Sequence, residues 1–139
     1  MARATLAKEL YFETKNETGT LGRVTIALAQ ENVYIVHMSA YTVGDKGFFQ
    51  VVTRDNEKAK KAVSYFVQNV KERDVLIVEF ENKVGTLAPV VKLLGNENIG
   101  VHYVYGTSGD GFKIVGVFST EDNKRAAELI NKDSGHPTG

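Results

Sequence analysis

The chain is expected to be an α+β protein of two tandem βαββαβ modules, each an antiparallel sheet with its helices on one face. Three observations carry this. First, the sequence matches itself at an offset of 66 positions: Leu10 meets Leu76, Glu13 meets Glu79, Asn16 meets Asn82, and Gly19-Thr20-Leu21 meets Gly85-Thr86-Leu87. Val24, Leu28, Glu31 and Asn32 then meet Val90, Leu94, Glu97 and Asn98 with no gap, a clustering that marks an internal repeat. Second, each copy passes from a β-rich run through a glycine loop into apolar spacing of helical period. Third, each then changes to a period of two, broken by glycine turns, before a second capped helix.

In the first copy Leu10 to Thr14 reads as a strand, Asn16 to Gly19 as a loop, and Leu21, Val24 and Leu28 as one apolar helix face. The second copy repeats this with Val75 to Phe80, Asn82 to Gly85, and Leu87, Val90, Val91 and Leu94. Thr20 and Thr86 stand where helix caps are expected, and Pro89 in the first turn forfeits no intrahelical bond. Val33 to Thr42 and Ile99 to Tyr105 are the next strands. Gly44-Asp45-Lys46-Gly47 and Ser108-Gly109-Asp110-Gly111 supply hairpin turns that lead into Phe48 to Thr53 and Phe112 to Ser119. Second helices begin at Asp55-Asn56 and Asp122-Asn123. Phe66 to Glu72 is compatible with helix or strand, and a short helix followed by a strand is the preferred reading. The modules are therefore placed at 7–72 and 73–131, with a flexible tail over 132–139. The second copy lacks a last strand of its own or borrows one from elsewhere.

Composition narrows the function classes. Seventeen basic residues balance seventeen acidic ones, so there is no overall positive field of the kind that phosphate backbones and anionic membranes attract. With no cysteine there is neither disulfide framework nor thiolate, a pattern that suits a reducing cytoplasm. No cofactor or metal site is expected from three histidines, no apolar run approaches the ~20 residues of a membrane span, and a cytoplasmic protein is expected.

The element order gives a ferredoxin-like unit, a fold that hosts many functions. Its loops say more. Asn16-Glu17-Thr18-Gly19-Thr20-Leu21 and Asn82-Lys83-Val84-Gly85-Thr86-Leu87 resemble the first loop of ACT domains, in which Asp or Asn is followed after two residues by Gly and then, after one more, by Leu. Glu31 to Ile35 and Glu97 to Val101 resemble that family's junction between first helix and second strand. The chain thus resembles a tandem ACT protein over residues 7 to 131. The resemblance implies a small effector, an amino acid, bound at an interface between modules, with the glycine loop of one facing the sheet of another. It carries ligand contact onto Asn16, Thr18, Gly19, Thr20 and Leu21 and onto Asn82, Val84, Gly85, Thr86 and Leu87. Thr18 and Val84 stand where many members of the family have proline. Chemically, glycine admits a ligand to the backbone and free N–H groups at a helix start attract a carboxylate. The plainer alternative is that glycine only makes the turn, and Leu21 and Leu87 are expected to serve the core first.

His37, Ser39, Tyr103 and Tyr105, on the second strands, are further pocket candidates. His37 and His102 are one register apart and so face opposite sides of their strands. No acid–base pair accompanies them, and the protein is read as non-catalytic, acting as a homodimer and on an enzyme in trans. Two alternatives belong to other classes. An RNA-recognition module shares the element order, and Lys46 to Val51 with Tyr11 superficially resembles its aromatic motif, yet the second copy offers only Phe112-Lys113-Ile114. Nucleic acid is accordingly an unfavoured partner. A ligand-independent oligomerisation module is the third reading.

Overall fold

A computed structural model describes residues 2–108 and 111–135, and over these it forms six strands and four helices. They run β1 (Arg3–Lys15), α1 (Thr20–Gln30), β2 (Ile35–Val43), β3 (Lys46–Thr53), α2 (Asn56–Val63), β4 (Gln68–Glu81), α3 (Leu87–Asn96), β5 (Val101–Thr107), β6 (Lys113–Thr120) and α4 (Asn123–Asp133). The chain divides into two compact units, residues 8–73 and residues 1–7 together with 74–139.

In the 8–73 unit the strand order is β2-β3-β1-β4, with β4 entering through its first residues. β1 lies antiparallel to β3, Phe12 opposite Phe49 and Thr14 opposite Gly47, and β3 is antiparallel to β2, Phe49 opposite Ala40. Leu10, Phe12, Phe49 and Val51 project from one face of this sheet onto Val24 and Leu28 of α1 and Ala59 and Val63 of α2. Phe12 and Phe49 stack with ring centroids 4.9 Å apart, an offset aromatic contact inside the core. After α2, which ends at Val63, a turn at 64–66 leads into β4, so the stretch Phe66 to Glu72 is a turn followed by a strand and holds no helix, contrary to the preferred reading.

In the second unit the order is β1-β4-β6-β5, β1 entering through residues 3–7. Leu76, Val78, Phe80 and Phe118 form its core with Val90 and Leu94 of α3 and Ala126 and Ile130 of α4. Ala2 and Ala4 are buried in the same cluster. Asn131, 2% exposed, holds this strand by two hydrogen bonds: its Oδ1 accepts from Ala4 N–H at 2.8 Å and its Nδ2 donates to the Ala4 carbonyl at 2.9 Å. Residues 3–7 thus stand beside β4 in the place that the first unit gives to the start of β4. Of the tail expected over 132–139, Lys132 and Asp133 are the last turn of α4. Residues 136–139, including His136, lie outside the described residues, as do Gly109 and Asp110 of the second hairpin turn.

The repeat recurs in detail. Asp55 caps α2 by accepting from Lys58 N–H, and Asp122 caps α4 by accepting from Arg125 N–H, as expected. Asn56 donates to the Lys8 carbonyl and Asn123 to the Asp74 carbonyl. Lys46 pairs with Glu13 at 3.3 Å and Lys113 with Glu79 at 3.1 Å.

Candidate functional site

Each glycine loop is hooked to the hairpin of its own unit. Asn16 donates its backbone N–H to Asp45 O and its Nδ2 to Gly44 O, both at 2.9 Å. Asn82 does the same to Phe112 O at 2.8 Å and Gly111 O at 2.9 Å. The asparagines therefore set the loop's position through their donors. Gly19 and Gly85 have φ of +92° and +85°, left-handed conformations that disfavour any residue with a Cβ.

The two threonines do not cap their helices. Gly19 occupies the cap position of α1, and Thr86 occupies that of α3 with helical φ and ψ of −78° and −21°, which turns its hydroxyl away from the first-turn amides. Thr20 Oγ1 donates instead to Glu17 O at 2.8 Å and accepts from Arg23 Nη2 at 3.0 Å, while Thr86 Oγ1 donates to Glu81 O at 2.9 Å. The N–H groups of Leu21 and Gly22 are left without a protein acceptor, the usual donors of an anion site at a helix start. The leucines do not serve the core either. Thr20, Val24 and Leu28 form the buried stripe of α1, so Leu21 is 51% exposed; Leu87 is likewise 44% exposed, beside the buried Val90 and Leu94.

Beside the first loop lies a hollow of about 210 Å³, in which Asn16, Gly19, Thr20 and Leu21 face Ala40, Tyr41 and Thr42 of β2. Thr18 is exposed and does not line it. The equivalent hollow in the second unit, about 360 Å³, brings Leu87 together with Phe80 and with Val104 to Thr107 of β5. Gly85 and Thr86 border a different hollow there, whereas Asn82 and the fully exposed Val84 border neither.

The second-strand candidates lie on the sheet face away from the helices. Ser39 stands opposite Gln50, whose other neighbour is Tyr11, and His37 stands opposite Val52. Tyr103 and Tyr105 share that face in the second unit, their rings stacked at 6.3 Å. Only Tyr105 also lines a loop hollow. His102 falls where the β5–β6 register shifts, and burial lowers the pKa of His37 below its ordinary value. Tyr11 donates to Glu13 Oε2 at 2.6 Å under the Arg73 guanidinium, and burial together with that hydrogen bond pushes its phenol up to about 12. Of the aromatic pair on β3, Phe49 is in the core and Phe48 alone shares the helix-free face, opposite Glu13. That carboxylate, held ionised by Tyr11 and Asn69, is a poor neighbour for a nucleic acid phosphate.

Three further residues at the loop escape motif reasoning: Thr14, Arg23 and Tyr41. Thr14 had a signal, because it interrupts the apolar alternation Leu10, Phe12 that the second copy continues as Leu76, Val78, Phe80. Among the described residues no three His, Asp or Glu side chains are placed to hold a metal ion, and no helix is long and apolar enough to cross a membrane.

Compared with known families, residues 5–135 match the model of the ACT domain pair. The chain belongs to the ACT domain family. Its ACT pair is similar in structure to protein BT0572 from Bacteroides thetaiotaomicron, with a TM-score of 0.85 and 26% identity over 94% of this chain and 90% of that one. It shares the fold of the regulatory subunit of aspartate kinase from Thermus thermophilus, in its ligand-free form, with a TM-score of 0.68 and 10% identity over 95% and 96% of the two chains. The corresponding subunit from Thermus flavus aligns with a TM-score of 0.64 and 12% identity over 94% and 95%. No curated protein matches the sequence. The expected fold, tandem ACT modules of ferredoxin-like α+β type, is thereby established.

Proposed function

We propose that this ACT pair is a non-catalytic regulatory protein that binds an amino acid at its strand 1–helix 1 glycine loops and transmits the occupancy to an enzyme in trans. The supporting observation is the hollow beside Gly19. Its wall combines exposed apolar surface at Leu21 with the first turn of α1, where two N–H groups lack an acceptor. An α-carboxylate satisfies such donors and benefits from the positive end of the helix dipole. The aspartate kinase regulatory subunits whose fold the chain shares are consistent with a regulatory role. The ligand contacts assigned on this reading are Asn16, Gly19, Thr20 and Leu21 with Tyr41 in the first module, and Leu87 with Tyr105 in the second. The working form is a homodimer in the cytoplasm, whose mass in solution is twice that of one chain.

Thermal-shift screening of the twenty amino acids tests the reading. A ligand at a hundredfold above its dissociation constant adds about 2.7 kcal/mol to stability, a shift of several degrees. No stabilisation by any of them at millimolar concentration defeats it. The helix-free sheet face, with Glu13 between Tyr11 and Phe48, gives no support to the RNA-binding alternative.

A further inference from the structure

We propose that the hollow beside Gly19 selects an amino acid whose side chain carries a hydrogen-bonding group, read by the Thr14 hydroxyl, whereas the hollow beside Leu87 in the second unit takes an apolar side chain. The inference rests on the preceding reading, that amino acids bind at the glycine loops, and adds which side chains each site accepts. Thr14 is 4% exposed, and its Oγ1 is buried with no hydrogen-bond partner. A buried hydroxyl without a partner is costly, and native proteins keep few of them.

Strand register places this hydroxyl at the floor of the hollow. Thr14 of β1 and Thr42 of β2 both stand opposite Gly47 of β3, so the three form one row across the sheet and share one face. All three line the hollow. Thr14 Oγ1 is turned into the space above Gly47, where a Cβ would stand 2.5 Å from it. Glycine thus leaves the hydroxyl uncovered on the side that faces β3, and Thr42, exposed at the end of the row, supplies a second hydroxyl. Thr20 and Leu21, in the first turn of α1, form the wall of the same hollow. A ligand anchored there by its α-carboxylate has its side chain left to meet the row. A hydroxyl or amide satisfies Thr14, and an apolar group leaves it unpaired.

The second unit supplies a built-in comparison. At the 66-residue offset Thr14 becomes Phe80, which stands opposite Ile114 where Thr14 stands opposite a glycine. Both line the hollow of about 360 Å³, together with Leu87, Val104 and Phe118. The glycine lies one row further in: Gly116 is opposite Val78, where the first unit has Phe49 opposite Phe12. A Cβ on Gly116 would come within 3.1 Å of Phe118 Cε1 and 3.4 Å of Phe80 Cε2, so two phenyl rings flank that glycine. A polar side chain meets a ring where the first unit offers a hydroxyl, and gives up water there without gaining a partner. The duplicated fold thus presents one polar floor and one apolar floor.

The test is an NMR titration of the full chain with the twenty amino acids and norleucine, reading the amides of Gly19, Leu21 and Gly47 against those of Leu87, Gly106 and Gly116. Threonine against valine, asparagine against leucine, and lysine against norleucine serve as pairs of similar shape. At the first set the polar member of at least one pair should bind tenfold or more tightly than its apolar counterpart, and at the second set the apolar member should bind more tightly. Thr14→Val should abolish the first preference, Thr14→Ser should keep it, and neither should alter the second. Without ligand, Thr14→Val should melt no lower than the parent chain, since valine keeps the shape and removes the unpaired hydroxyl. A lowered melting temperature there shows the hydroxyl at work in the fold and overturns the inference. Equal affinities within every pair at the first set, a polar preference that survives Thr14→Val, a polar preference at the second set, or amino acids that move only the second set overturns it while leaving the proposed function standing. No amino acid moving either set defeats both.

Discussion

Replacing Asn131 by alanine removes a side chain of α4 that holds both backbone polar groups of Ala4. The Ala4 N–H loses an acceptor at 2.8 Å and the Ala4 carbonyl loses a donor at 2.9 Å, and Ala4 itself is 3% exposed. Leaving a buried polar group unsatisfied costs about 1–3 kcal/mol, so two such groups, partly relieved by entering water, cost roughly 3 kcal/mol. For a chain of this size that lowers the melting temperature by roughly 10 °C. Urea denaturation followed by circular dichroism gives the free energy, and amide exchange gives the location: Ala4 should exchange faster in Asn131→Ala while Phe12 and Phe49 of the other unit keep their protection. A loss below ~0.5 kcal/mol, with Ala4 still protected, refutes the assignment of residues 3–7 as a strand pinned by α4.

Two other perturbations have a definite sign. Gly19→Ala and Gly85→Ala each place a Cβ on a left-handed residue, φ +92° and +85°, with no clash around it, so the cost is backbone strain of about 1–2 kcal/mol each in urea denaturation; unchanged stability contradicts it. His37 has its pKa lowered by burial, so the unfolded chain binds a proton more readily than the folded one. Its contribution is present above the unfolded pKa of 6.5 and is lost as pH falls through the lower folded value. Stability should drop on acidification from pH 7, and the drop should be smaller in His37→Gln.

Period and punctuation made most of the fold legible. Val24 and Leu28 against Val90 and Leu94, and the aspartate caps at Asp55 and Asp122, gave helices where helices are found. The first residues of β1 are not legible in the sequence, because Ala4, Thr5, Ala7 and Lys8 have no β-forming pattern. They are a strand because small alanines fit under α4 and Asn131 completes their hydrogen bonds, which is a tertiary cause. The loop's need for glycine is legible as a turn, but the roles of Thr20 and Thr86 are not. A threonine beside a helix start caps only with an extended backbone and the right position, and neither residue has both. Leu21 departs from the core for a related reason. A stripe of period four through Thr20, Val24 and Leu28 buries the threonine and turns the leucine outward. That outward turn gives the site its apolar wall.

The central claim is that the glycine loops bind an amino acid. Isothermal titration of the twenty amino acids into the intact chain and into Gly19→Val/Gly85→Val tests it most directly, provided circular dichroism shows the variant folded. Saturable binding of at least one amino acid to the parent chain, weakened tenfold or more in the variant, is expected. Equal affinity in the two proteins, or no heat from any amino acid with the parent chain, contradicts it.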